Sequence, residues 1–162
     1  MSVRIDVPAS RGIGVTVAAV GGALAGLVYL GLLTVIAMRD GHGPATGANA
    51  LGAWAVRWLQ SAAPQALDNP YPDATLGGIF IVLIVGALFG ALLAALLGRL
   101  PDDHPMAWGL LLGLVLWWLV LRSLAPALDP VLLTVVDARG LFVAHLVSGG
   151  VLGAWLHAAR HT

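Results

Sequence analysis

The sequence contains no cysteine, no lysine and no glutamate. Without cysteine, neither disulfide bonds nor thiolate metal sites can form. All eight basic residues are arginine, all eight acidic residues are aspartate, and the formal net charge is zero. Because there is no run of basic residues, the sequence gives no electrostatic support for binding nucleic acid.

Charge of either sign is scarce. Charged residues make up 10% of the chain and hydrophobic residues 59%, whereas a soluble domain carries roughly 25% charged residues. Long uncharged segments recur, and a bilayer span needs about 20 mostly apolar residues. The sequence therefore predicts an all-α membrane protein that is a single four-helix transmembrane domain. We expect its spans at about 12–38, 74–98, 105–125 and 139–159.

The predicted location is the bacterial inner (cytoplasmic) membrane, as a multi-pass protein. Arginines are divided four to four between the two sides: Arg4, Arg11, Arg99 and Arg160 against Arg39, Arg57, Arg122 and Arg139. The positive-inside count therefore gives no orientation. The second set lies with more aspartates and with the longest connection, which is common on an outer face, so we expect both termini to be cytoplasmic.

The connection after the first span contains a helical pattern at about 49–63. Leu51, Trp54, Trp58 and Leu59 fall on one face of that helix, and polar residues fall on the other. Two tryptophans four residues apart suit the lipid headgroup region. We therefore expect one short amphipathic interfacial helix anchored by Trp54 and Trp58, with a lid packed on the bundle as the alternative.

A second set of expected interfacial anchors ends the third span. Arg122 follows Trp117 and Trp118. An arginine near a tryptophan ring can form a cation–π pair or extend its charged end to the membrane surface. The alternatives are contact with a lipid phosphate or with a carboxylate of a partner.

Each predicted span carries one G-x-x-x-G pair. In membrane helices this spacing lets two backbones approach closely. We expect these glycines to lie at helix contacts, within the chain or with a partner. The eight residues are Gly22, Gly26, Gly86, Gly90, Gly109, Gly113, Gly149 and Gly153.

His145 is the one ionisable residue well inside a predicted span. Such residues are costly in a bilayer and often functional. Because His145, Gly149 and Gly153 follow at intervals of four, His145 should lie at the small-residue contact rather than face lipid. The favoured interpretation is a neutral imidazole bonded to a neighbouring helix. The alternatives are an axial ligand for haem or a chlorophyll-type pigment, or a substrate or proton role.

The C-terminal half carries a recurring pattern of glycine, tryptophan, proline and histidine. It resembles small four-span bacterial inner-membrane proteins of unknown function. These have a W/YG-x-x-x-G-x-x-x-W third helix, a break ending in N/D-P and a fourth helix reading A-H-L-V-x-G-x-x-L-G. The resemblance implies a fold type and no activity. The matching residues are Gly109, Gly113, Trp117, Pro126, Asp129, Pro130, His145, Gly149 and Gly153.

The sequence offers little chemistry. No aspartate or arginine lies at mid-span, no nucleophile–base pair is visible, and the triplet Asp102, Asp103 and His104 is expected to be a solvated turn. We therefore expect no enzyme and no metal site. The leading hypothesis is a structural accessory subunit of a larger inner-membrane complex, for example in respiratory or photosynthetic electron transport. It would contact the bilayer and other membrane subunits or itself.

Two alternatives to the accessory subunit stay open. One is a small oligomeric transporter or channel component. The other is a subunit that binds haem or a pigment through His145.

Overall fold

The computed structural model describes residues 13–56, 59, 61, 63–97, 99 and 104–160. The described chain is helical, and four helices are long and apolar enough to cross a membrane. This confirms the predicted all-α fold with four membrane-length helices and a short extra helix. The α-helices are α1 (Val15–Arg39), α2 (Thr46–Gly52), α3 (Pro72–Leu97), α4 (Pro105–Leu119), α5 (Ala125–Leu128), α6 (Leu132–Val135) and α7 (Ala138–Arg160).

The third span is continuous from Pro105 to Leu128. Between α4 and α5 it passes through one π-helical turn, Val120–Leu124. The physical reason lies at Pro126, which has no N–H to donate and whose ring would collide with the carbonyl of Arg122 in a regular α-helix. A wider turn removes that collision. The helix therefore continues past the proline, where the sequence predicted a break.

The four spans lie in the spatial order α3, α1, α7, α4. The close contacts are α1 with α3, α4 with α7, and α1 with α7, whereas α3 and α4 hardly touch. The short turn between the second and third spans predicts that α3 and α4 form an antiparallel hairpin, and in the structure these two helices make few contacts with each other. α3 packs instead on α1, and α4 packs on α7. Glycines from both helices form each of these contacts.

Glycine allows these pairings, because the absence of a Cβ lets two main chains approach closely. A Cβ on Gly22 would overlap the carbonyl of Gly86, and a Cβ on Gly109 would overlap the carbonyl of Gly149. The described helices are otherwise apolar on their outer surfaces, which suits direct contact with lipid. Examples of large exposed side chains are Val20, Phe80, Leu88, Val115 and Trp118.

The short extra helix differs from its predicted position. α2 begins at Thr46, ends at Gly52 and buries six of its seven residues against α1 and α3. It is therefore a packed part of the bundle, as in the lid alternative, and it overlaps the expected interfacial helix at 49–63 only over residues 49–52. Residues 57, 58, 60 and 62 of that expected helix lie outside the described residues. The close approach again uses glycine, because a Cβ on Gly52 would overlap the carbonyl of Ala74.

Hydrogen bonds from Asn49 explain why α2 is buried. Its side-chain amide donates to the carbonyls of Leu67 and Asn69, both at 2.8 Å, and its oxygen accepts from the Thr75 hydroxyl at 2.6 Å. Asn49 is fully buried. Because each polar atom of the amide is partnered, the residue can sit inside the protein at little cost.

Asp68 makes a second polar contact in the same connection. Its carboxylate accepts from the backbone N–H of Gly43 at 2.9 Å and from the Thr46 hydroxyl at 2.8 Å, and it lies 3.1 Å from His42 Nδ1. These donors, the Gly43 N–H first, hold the pKa of Asp68 below its ordinary value. The connection between α1 and α3 is thereby fixed at both ends.

Candidate functional site

A cleft opens between α3 and α4 because these two helices do not pack on each other. Its volume is about 770 Å³. α1 and α7 form its back wall, and apolar side chains of α3 and α4 form its sides. The side walls include Ile81, Val85 and Phe89 of α3 and Leu112, Leu116 and Val120 of α4.

The cleft occupies one part of the bundle's length. Its lining on α3 begins at Gly77 and ends at Phe89, and its lining on α4 begins at Leu112, seven residues after Pro105. It therefore lies toward the side that carries the segments 40–71 and 129–137, and it stops about two thirds of the way along α3 from that side. We call this side the connection side.

Three polar residues from three parts of the chain meet at the connection-side end of the cleft: Tyr29 of α1, His145 of α7 and Asp129, which follows α5. The rings of Tyr29 and His145 are in edge-to-face contact, with centroids 4.6 Å apart. Tyr29 also lies within electrostatic range of Asp129. At 1.5 Å per residue, His145 is about 10 Å along α7 from Ala138.

The hydrogen bond of His145 determines its tautomer. Nδ1 lies 2.8 Å from the carbonyl oxygen of Leu141, one turn earlier in α7. A carbonyl oxygen can only accept, so Nδ1 carries the hydrogen and Nε2 of the neutral ring keeps its lone pair. The predicted hydrogen bond to a neighbouring helix is replaced by this bond within α7. Contact with the neighbouring helices comes from Tyr29 and from Gly113, whose Cβ would overlap the carbonyl of His145.

Asp129 belongs to the N/D-P break of the resemblance, but the sequence did not indicate it as a site residue. It is 8% exposed, and its Oδ1 has no hydrogen-bond partner in the part of the chain that the structure describes. Burial raises the pKa of Asp129 to about 7, although the backbone N–H of Leu132 acts in the opposite direction. The available signal was its isolation as the single charge in the apolar stretch 123–136.

The structure places the eight predicted packing glycines in two groups. Gly22 and Gly26 of α1 face α3, and Gly86 and Gly90 of α3 face α1. The remaining four form the corresponding contact between α4 and α7, and His145 lies beside it. The second group consists of Gly109, Gly113, Gly149 and Gly153.

The predicted interfacial anchors have different surroundings. Trp117 donates its indole N–H to the carbonyl of Ala138 at 3.1 Å and packs edge-to-face on Phe142. It therefore joins α4 to the start of α7, whereas Trp118 and Arg122 are exposed on the outside. The Trp54 backbone lies in a short 3₁₀ turn. The Trp54 side chain and the whole of Trp58 lie outside the described residues.

No metal site emerges from the described residues, where no three His or Asp side chains come together. Of the predicted polar turn, His104 is exposed, and Asp102 and Asp103 lie outside the described residues. The chemistry that the cleft offers is therefore hydrogen bonding at one end and apolar contact along the rest.

Comparison with protein-family models, curated proteins and solved structures gives no match. The likeness to small four-span bacterial proteins is supported at the level of four long apolar helices, and no family is assigned.

Proposed function

We propose that the protein is an integral membrane component that binds an elongated apolar molecule taken from the bilayer. The observation that carries this proposal is the cleft between α3 and α4. Its volume of about 770 Å³ lies in the range of roughly 300–1,000 Å³ that is typical of small-molecule sites. Its mouth lies between two lipid-facing helices, so a bilayer molecule can enter sideways.

The extent of the cleft favours a small molecule over a helix of a partner. A transmembrane helix that packed between α3 and α4 would need a groove along the whole span, with room for a diameter of about 10 Å. The cleft instead ends near Leu112 and Phe89, about two helical turns short of the far ends of α4 and α3. A single extended apolar chain that enters from the leaflet on the connection side fits a cleft of this kind.

The accessory-subunit hypothesis loses its original support in this arrangement. It rested in part on small-residue helix faces that could pack within the chain or with a partner, and those faces are used between helices of this chain. The transporter alternative needs a polar path, whereas the polar side chains that line the cleft are only Tyr29, Asp129, His145 and Ser148 among the described residues. The accessory-subunit hypothesis becomes an outcome of the following experiment.

The test is photo-crosslinking of the full chain in lipid nanodiscs. The probe is a hexadecyl chain with a diazirine in its tail, and the labelled residues are mapped by mass spectrometry. We expect labels concentrated on the cleft walls, such as Phe89 and Leu112. Leu116→Trp, which fills the cleft, should abolish most of this labelling. Val115→Trp is the matched control, because Val115 is exposed beside Leu116 but does not line the cleft.

Labelling spread evenly over outward residues such as Leu88, and unchanged by Leu116→Trp, would contradict the proposal. The same experiment in native membranes examines the accessory-subunit hypothesis. If α3 and α4 were crosslinked to a transmembrane segment of another protein, the cleft would be a subunit contact instead.

A pigment or haem held by His145 is the second candidate. The observation that favours it is the Nδ1 bond to the Leu141 carbonyl, because a histidine that binds a metal commonly donates its other N–H to such a group. His145 would then supply one axial ligand through Nε2. An absorption spectrum of the protein purified from native membranes tests this, with His145→Ala as the control. Absence of a Soret or chlorophyll band would remove the candidate.

A further inference from the structure

We propose that the polar end of the cleft selects a lipid with an uncharged hydroxyl head group. This inference rests on the proposed function and names the class of its ligand. It follows from which hydrogen-bonding atoms are present at that end, which charges are present, and where the end lies.

The polar end of the cleft offers hydrogen-bond acceptors to a ligand. Asp129 Oδ1 has an unused acceptor position, and His145 Nε2 has a lone pair fixed by the bond of Nδ1 to Leu141. Both side chains are more than nine-tenths buried. A buried polar atom without a partner is costly, so a ligand that donates to it gains affinity. A hydroxyl group donates one hydrogen bond and accepts others, for which the nearby Tyr29 is a candidate donor.

The charges at the polar end disfavour a phosphate head. The lining residues include Asp129 and no arginine among the described residues. Phosphate groups are normally held by arginine, lysine or a helix N-terminus. A carboxylate in the same buried space would repel a phosphate. An ammonium head could pair with Asp129, but it would have to lose its hydration in an apolar cleft, which an uncharged hydroxyl avoids.

The direction of the cleft also fits a hydroxyl-headed lipid. The polar end lies on the connection side, and the apolar part extends toward the middle of the bundle. A lipid in the leaflet on the connection side has its head group on that side and its tail toward the middle of the bilayer. This is also the order of the polar and apolar parts of the cleft. The ligand can therefore enter between α3 and α4 without turning over.

The experiment uses four competitors with the same sixteen-carbon tail against the diazirine probe. They are hexadecanol, hexadecyl phosphate, hexadecylamine and hexadecane. We expect hexadecanol to displace the probe at about one-tenth of the concentration of hexadecane, which is the ratio that one buried hydrogen bond gives. Hexadecyl phosphate and hexadecylamine should compete no better than hexadecane.

The variants Asp129→Leu and His145→Leu should each reduce the preference for hexadecanol while probe labelling of the cleft is kept. Retained labelling shows that a variant is folded. Asp73→Leu is the control, because Asp73 is exposed at the start of α3 and does not line the cleft. It should leave the preference unchanged.

Each outcome has one meaning. Equal displacement by all four competitors would overturn the head-group inference and leave the proposed function intact. The strongest displacement by hexadecyl phosphate or hexadecylamine would also overturn it. Displacement by none of the four would remove the proposed function itself.

Discussion

The indole N–H of Trp155 in α7 donates a 2.9 Å hydrogen bond to the main-chain carbonyl of Val17 in α1, 138 residues earlier in the chain. The indole ring lies over Gly21, where a Cβ would overlap it. The bond joins the last span to the first at the end of the bundle away from the connection side. It therefore supports the contact that brings the two glycine-packed helix pairs together.

Trp155→Phe should lower the free energy of unfolding by about 1 kcal/mol, the usual net value of one hydrogen bond. An aromatic ring remains in place of the indole, and the N–H is lost together with part of the indole ring, a loss of ring atoms that the control substitution shares. The measurement is thermal unfolding in detergent, followed by circular dichroism. Trp118→Phe is the control, since Trp118 is 57% exposed. An equal effect of the two substitutions would show that the bond to Val17 adds no stability.

Gly22→Ala should destabilise the protein by about 1–3 kcal/mol, because the added Cβ meets the main chain of Gly86, which cannot rotate away. Gly31→Ala in the same helix is the matched control, since its Cβ would meet nothing within 4 Å. Alanine favours helix over glycine by about 1 kcal/mol. The control should therefore be as stable as the parent or slightly more stable, as measured by the midpoint of thermal unfolding.

The α4–α7 contact allows the same comparison one residue apart. Gly149→Ala directs a Cβ at the carbonyl of Gly109, whereas a Cβ on Gly150 would come no closer than 3.4 Å to a Leu110 methyl group. We expect Gly149→Ala to lower the midpoint of thermal unfolding and Gly150→Ala to leave it unchanged. Gly90→Leu in α3 should lower the midpoint further. Normal assembly of Gly90→Leu would mean that the glycine contacts are not required.

Asn49→Ala should lower the free energy of unfolding by about 2–4 kcal/mol. The substitution leaves the carbonyls of Leu67 and Asn69 and the Thr75 hydroxyl without the partner they have in the folded protein. Limited proteolysis of the 40–71 connection measures the effect, and faster cleavage is expected. Gln65→Ala is the control, because Gln65 is exposed in the same connection. Cleavage rates equal to those of the parent would contradict the proposed role of Asn49.

Asp129 should make stability depend on pH. Its pKa is about 7 in the folded protein against an ordinary value of 3.8. The folded state therefore holds the proton more tightly than the unfolded chain, and the free energy of unfolding falls as pH rises between these two values. The expected loss from pH 5 to pH 8 is on the order of 2 kcal/mol. Tyr29 and His145 are the other titratable side chains at this end of the cleft.

Asp129→Asn keeps the shape of the side chain and removes its titration. Thermal unfolding at pH 5 and pH 8 should therefore show a smaller difference for this variant than for the parent. The same difference in both proteins would assign the pH dependence to another group.

The sequence predicts those features of the fold that depend on local pattern. Hydropathy locates the four spans, with ends within about three residues of the observed helices. The four-residue spacing of glycines identifies which helix faces make contact, since that spacing defines one side of a helix. Which pairs of helices use these faces is a matter of three-dimensional fit, and the short turn between α3 and α4 carries no information about it.

The candidate site was less accessible to sequence reasoning. The position of α2 depends on hydrogen bonds of the Asn49 side chain with residues 18 to 26 positions later in the chain. The helical pattern of the sequence does not reveal these hydrogen bonds. His145 is recognisable because it stands alone in an apolar span. The importance of Asp129 depends on burial by distant segments, and the cleft depends on two helices that do not pack.

The chain order of the helix contacts has a consequence for synthesis. α1 and α3 are complete by residue 97, so their glycine contact can form before the third span has been made. α4 must wait for α7, which is made after the other three spans. Only when α7 inserts and Trp155 reaches Val17 does the cleft acquire the second half of its back wall.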